Sequence, residues 1–384
     1  MPGLYLHIPF CRQACHYCNF HFSTSLKLKK PLLAAMEKEL QGRQDFFGGP
    51  VVLDSIYFGG GTPSLLSAGE LERLFERINA AFAVADDAEI TLEANPDDLT
   101  DEYLRALRNT PVNRLSIGIQ SFADEDLQWM NRAHHAGESR RCIESALALG
   151  FDQLTCDLIY GAPITSDEQW AANIQTLLDY GIPHLSCYCL TVEPKTALSH
   201  FVKTGKSPAV EEEKATRQFL YLMDALETAG YEQYEISNFA KNGLYAKHNT
   251  SYWLGEPYLG LGPGAHSYNG QNRQWNLPNN PVYVKHLETP APWESLRGLV
   301  WDEEILGAAD RYNEYVMTGL RTQWGCRLEQ IERMGAHFAG YFRQQVQAFL
   351  HQGLVRADND VFTLSRSGKL LADFVSAELF WVEG

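Results

Sequence analysis

What most constrains this chain is a recurring pattern of elements. Six short β-rich runs, at 4–8, 55–58, 89–93, 114–119, 153–159 and 184–192, are separated by longer stretches of helical periodicity, of which 66–82 and 139–149 are plainly amphipathic. A strand that rejoins its sheet through a helix runs parallel to its predecessor and crosses over right-handed. Six such units in series imply an α/β fold, a partial (β/α)6 barrel over residues 1–200; the two further units of an eight-unit barrel are not found. Polar and glycine residues follow the strand runs: Gly59-Gly60-Gly61-Thr62-Pro63, Glu93-Ala94-Asn95-Pro96, Gln120-Ser121-Phe122, Asp157 with Tyr160-Gly161, and Glu193-Pro194. That is the rim on which α/β barrels build their sites.

Beyond residue 200 the pattern changes. A helical segment at 211–229, a glycine-rich turn at 260–264 and proline-rich sequence around 278–292 make 201–295 an extension and connector. From 296 to 384, three helices and a hairpin predict a winged-helix-like α+β domain. DNA binding is disfavoured, because the chain carries a net charge of −16 and no helix of that domain concentrates Lys or Arg. Membrane lipid is disfavoured by the same charge. No run reaches the 18 or more apolar residues of a spanning helix, and the N-terminus enters its first strand without a basic, signal-like region, so a cytoplasmic protein is expected.

Three of the eight cysteines fall within eight residues, as Cys11-x-x-x-Cys15-x-x-Cys18, and the other five are scattered through apolar segments. This suits a reducing compartment and one metal site. Three thiolates on one loop can each bind one iron of a cubane cluster and leave the fourth iron open to a small-molecule ligand. Zinc is the alternative; it wants a fourth protein donor, for which His16 and His21 are available. Cys187 and Cys189 alternate on a strand and read as small packing residues on one face.

With Tyr17 before its last cysteine, the motif resembles that of the radical S-adenosylmethionine (SAM) superfamily. The segments Tyr5-Leu-His-Ile-Pro-Phe-Cys11, Gly59 to Pro63, Glu93-Ala-Asn-Pro, Ser116 to Phe122 and Asp157 to Gly161 resemble, in order, the anaerobic coproporphyrinogen III oxidase family. The resemblance covers the barrel and extends to the winged-helix-like tail. It implies a [4Fe–4S] cluster on Cys11, Cys15 and Cys18, with SAM on its open iron. The SAM contacts it implies are Tyr5, Tyr17, Gly60, Gly61, Thr62, Glu93, Gln120, Arg132 and Asp157. Glycines would let backbone approach the ligand, carboxylates accept from an ammonium or ribose hydroxyls, and Arg132 pair with a carboxylate.

Two features divide that family. The oxidases resemble C-x-x-x-C-x-x-C-x-C, whereas here Phe20 stands at the position of the extra cysteine. His248-Asn249-Thr250-Ser251-Tyr252-Trp253 resembles the H-N-x-x-Y-W motif of the HemW-type heme chaperones, which the oxidases lack. That resemblance implies a carrier that binds heme, with His248 as an iron ligand, and passes it to an acceptor protein. His266 and His7 are reserve ligands. Oxygen-independent oxidation of coproporphyrinogen III is the alternative, and whether the chain is an enzyme stays open. An electron donor, transient membrane association and a homodimer are compatible with the resemblance.

Overall fold

The computed structural model describes residues 2–289 and 291–382. All six runs form strands: β1 Gly3–Ile8, β2 Val52–Gly60, β3 Ala83–Ala94, β4 Arg114–Gln120, β5 Gln153–Tyr160 and β6 His184–Cys189. They pair in parallel, in chain order. The amphipathic stretches become the helices Ala68–Ala81 and Ala136–Ala148, and the first starts from a capping box between Ser67 and Glu70. β3 begins earlier than its apolar run, since Ala83 and Val84 are recruited by pairing with Val52 and Leu53.

Alternation along each strand creates two faces with different chemistry. Leu4, Leu6 and Ile8 of β1, Ile56 and Phe58 of β2, and Leu115, Ile117 and Ile119 of β4 are buried in one core shared with the helices. The residues between them point the other way: Tyr5 and His7, Tyr57, Thr91 and Glu93, Arg114 and Ser116, Thr155 and Asp157, His184 and Ser186 line an interior cavity. The polar lining therefore runs down the strands as well as around the rim.

Six further strands extend the sheet at both edges: β7 Glu232–Gln233, β8 Asn238–Ala240, β9 Tyr258–Leu261, β10 His266–Tyr268, β11 Asn272–Asn276 and β12 Trp301–Ile305. β9 is parallel to β1, β10 to β12 continue antiparallel, and β8 pairs antiparallel with β6. The order is β12-β11-β10-β9-β1-β2-β3-β4-β5-β6-β8-β7. Trp301–Ile305 thus belongs to the large sheet, and Leu296, Val300 and Trp301 to its core, so the last unit starts after residue 305 and not at 296.

That last unit has its own core around Tyr312, Phe338, Phe342 and Phe362. Helices Ala308–Leu320, Leu328–Met334 and Ala336–His351 pack on a three-stranded antiparallel sheet of β13 Cys326–Arg327, β14 Val355–Asp358 and β15 Val361–Leu364. The hairpin turns through Asn359 and Asp360, with φ of 47° and 61°, the pair of left-handed residues a two-residue turn requires. The winged-helix-like expectation holds, with one strand added from β13. Ile236 packs against both cores, and Lys369 Nζ donates to Gln233 Oε1 at 2.8 Å across the junction. Among the described residues no helix is long and apolar enough to cross a membrane.

Candidate cluster and cofactor site

The loop that leaves β1 carries Cys11, Cys15 and Cys18, all free and partly exposed. It is pinned from two sides. The Cys11 N–H donates to Ser23 O at 3.1 Å and the His16 N–H to Met130 O at 3.0 Å. Asn131, held at φ 57°, donates from Nδ2 to Ala14 O at 2.7 Å and accepts from Gln13 Nε2 at 2.9 Å. Gly61 donates its N–H to Ile8 O at 3.0 Å, and a Cβ there would lie 2.6 Å from Phe10 O. The glycine turn is therefore needed to bring β2 against the backbone that leads into the cysteines, a role the sequence pattern did not suggest.

The donor set fits a cluster. Burial pushes the Cys11 thiol up to about 11, so holding it as thiolate calls for a strong cationic partner, which iron is. Arg132 Nη1 is 3.3 Å from Cys15 Sγ, while Nη2 donates to Asn95 Oδ1 at 2.5 Å and Gly118 O at 2.9 Å. Its buried Nε has no partner among the described residues, which leaves a donor for a ligand. For the zinc alternative, His16 Nδ1 is 2.8 Å from Trp129 O and His21 Nε2 is 2.7 Å from Asn280 Oδ1, and among the described residues no three or more His, Cys, Asp or Glu side chains are gathered around a single-ion site.

Beside the cysteines is a cavity of about 470 Å³. Tyr17, Gly60, Gly61, Thr62, Glu93, Gln120, Arg132 and Asp157 all line it, so eight of the nine expected SAM residues converge there. Tyr5 does not; its hydroxyl lies 3.1 Å from His7 Nδ1 in the neighbouring cavity. Glu93 accepts from Tyr57 Oη at 2.8 Å and from the Gly60 N–H at 3.1 Å. Burial raises Glu93 from 4.5 to about 7, and burial followed by the charge of Glu93 raises Asp157 from 3.8 to about 7. Two buried acids, neither in an ion pair among the described residues although the Arg132 charge acts on Asp157, suit a ligand that carries a cationic group. Gln120 sits at φ 64°, a backbone cost of the kind sites retain.

The second cavity, of about 670 Å³, fills the barrel interior and shares Phe20, Glu93, Ser116, Asp157 and Tyr188 with the first. His248 lies in its wall, and both of its ring nitrogens have hydrogen-bond partners. Its Nδ1 is 2.8 Å from Ser55 Oγ, its Nε2 is 2.8 Å from Tyr252 Oη, and its ring stacks on Tyr57 at 5.1 Å. The expected ligand is thus a buried wall residue with both nitrogens used, and burial lowers it to about 3, which keeps it neutral. The helix that carries it, Lys247–Trp253, is anchored by Glu89, whose carboxylate accepts the N–H groups of Lys247 and His248, each at 2.9 Å.

Comparison with known proteins fits this arrangement. The Radical SAM superfamily model matches residues 5–177, and that of the HemN C-terminal domain matches 306–371. The chain is 34% identical over 380 residues to the heme chaperone HemW of Bacillus subtilis, covering 98% of each chain. It is 32% identical to the heme chaperone HemW of Escherichia coli, over 99% of this chain and 98% of the relative. The chain belongs to the HemW family. Mouse radical S-adenosyl methionine domain-containing protein 1, mitochondrial, is 37% identical over 97% of this chain and 85% of its own. Among solved structures, the coproporphyrinogen III oxidase HemN of Escherichia coli superposes with a TM-score of 0.83 at 23% identity, over 99% of this chain and 90% of its own, a likeness of fold. As radical SAM proteins, HemW-family chains imply SAM and a [4Fe–4S] cluster, and the cysteine loop and smaller cavity have the chemistry for both.

Sequence reasoning missed the deeper lining of the HemW-family barrel, including Arg114, Thr155, His184 and Ser186. Their signal was present as polar residues at alternate positions of otherwise apolar strands. Cys189 also departs from the packing expectation: Cys187 is buried in the core, but Cys189 is exposed and lines the smaller cavity.

Proposed function

We propose that the protein is a heme chaperone that binds heme and transfers it to an acceptor protein, with its SAM-bound cluster beside the cargo cavity. The observation that carries this reading is Phe20. It is 68% exposed, lines both cavities, and stands where the decarboxylating oxidases resemble a cysteine-bearing pattern. An exposed aromatic at the junction of two cavities can pack on a flat apolar ligand; it cannot act as a thiol. The names of the full-length relatives support the same function. When bound, the cluster supplies an electron and SAM the adenosyl group it acts on. The chain's own part is positional: Asn131 and Gly61 fix the cysteine loop, Arg132 braces Cys15, and Glu93 and Asp157 present carboxylates to a cation.

Cysteines 11, 15 and 18 hold the cluster in this reading, and SAM occupies the smaller cavity. The test is one preparation assayed twice after anaerobic reconstitution. Heme titration should give saturable binding, and incubation with coproporphyrinogen III, SAM and a reductant should give no vinyl product. Absence of saturable binding together with turnover would reverse the assignment in favour of the oxidase.

A further inference from the structure

We infer that His266 is the protein ligand to heme iron, on the inner face of the β10–β11 hairpin; this rests on the heme-chaperone reading above. Five imidazoles line the larger cavity: His7, His21, His184, His248 and His266. An axial ligand needs a ring nitrogen with a free lone pair directed into space. His248 spends both nitrogens on Ser55 and Tyr252. His7 spends Nδ1 on Tyr5 and Nε2 on His21 O at 2.9 Å. His184 has Nε2 2.9 Å from Tyr234 Oη; its Nδ1 has no partner among the described residues, but that atom is buried, so it is not open to a ligand. His21 has Nε2 on Asn280, and its side chain lies 3.3 Å from where a Cβ of Gly264 would be.

His266 differs. It is exposed to the cavity, and no hydrogen bond to its ring is found among the described residues. Its direction is set by its neighbour: Ser267 faces the other side of the strand, where its hydroxyl accepts from the Gly260 N–H at 2.9 Å, so alternation turns His266 and Tyr268 inward. Register places Trp275 opposite His266, with ring centroids 6.5 Å apart, and supplies an aromatic wall beside the ligand. Burial lowers the His266 pKa, which keeps the imidazole neutral at pH 7, the form that binds iron. A cavity of about 670 Å³ is of the size that encloses cofactors.

The test uses the full chain with its cluster reconstituted and hemin as the probe. Binding is followed by titration, and ligation by electron paramagnetic resonance of the ferric heme. His266→Ala should weaken binding on the order of 10- to 100-fold and remove the imidazole signature. His266→Met should replace that signature with that of a thioether ligand, and added imidazole should restore it in His266→Ala. Circular dichroism melts confirm that each variant is folded. His248→Gln should keep the signature of the parent. If His266→Ala binds hemin as the parent does, or if His21→Gln removes the signature instead, the inference is overturned while the chaperone reading stands. If the parent chain itself binds no hemin, both fall together.

Discussion

At Gly61 the nearest backbone atoms around a hypothetical Cβ are Phe10 O at 2.6 Å, Phe10 N at 2.8 Å and Ile8 O at 2.9 Å, none of which can move without moving the cysteine loop. Gly61→Ala should therefore cost about 1–3 kcal/mol by overpacking and misplace Cys11. The measurable outcome is less iron and sulfide per chain after reconstitution, with secondary structure unchanged. The acids opposite the loop make a prediction about pH. Because their folded values lie near 7 and their ordinary values near 4, the stability they contribute to the cofactor-free protein is full below 3.8 and is lost as pH rises through about 7. A cationic ligand prefers the ionised pair. SAM affinity should thus rise with pH through about 7, with proton release on binding that Glu93→Gln diminishes. Calorimetry in buffers of different ionisation enthalpy would detect it, and a pH-independent affinity would sink the idea. Most residues of this site could be read from sequence, because rim position and chemical type coincide. His248 could not, since its motif gives no sign that Ser55, 193 positions away, takes one of its nitrogens.

The helix Lys247–Trp253 shows how an element can be held from below. Its first turn has no capping side chain of its own, and Glu89 of β3 takes that place. Glu89 also lies 3.5 Å from the buried guanidinium of Arg114, which donates to Thr155 Oγ1 at 2.8 Å. Glu89→Ala would strand that charge and free two N–H groups. Urea unfolding should show a loss of about 3–5 kcal/mol. His248→Ala should cost on the order of 3 kcal/mol by cavity formation and two lost hydrogen bonds, in the same assay. Elements differed in how well sequence announced them. β1 to β6 were legible because their apolar faces alternate and long helices separate them. β7 to β12 were not: they are two to five residues long, and Trp301–Ile305 is a polar run of Trp-Asp-Glu-Glu-Ile that becomes a strand only by pairing with Asn272–Asn276. Local propensity cannot report a partner that is distant in sequence.

Across the whole molecule, the two cavities draw on the chain very differently. The smaller is lined by residues between Cys11 and Glu193, all within the parallel barrel and its first loop. The larger needs the edge strands and reaches Thr318 of the last unit, where Arg273 of β11 donates from Nη2 to Glu314 Oε2 at 2.9 Å. The residues proposed for cluster and SAM thus come from the barrel alone, whereas the larger cavity, proposed above for heme, is completed only when the edge strands and the C-terminal unit are in place. Among the described residues, Phe20, Glu93, Ser116, Asp157 and Tyr188 are shared by both cavities, so the proposed occupants would meet at this wall. Hydrogen exchange tests this division. Loading cluster and SAM should raise protection in 11–23, 60–62, 93–95 and 131–132 and leave 308–320 unchanged. Loading heme on top should add protection in 264–275 and 308–320, with both steps registering at the shared wall. Heme protection confined to 11–62 would mean that the cargo sits over the cluster, and that the interior of the barrel is not the place where it is held.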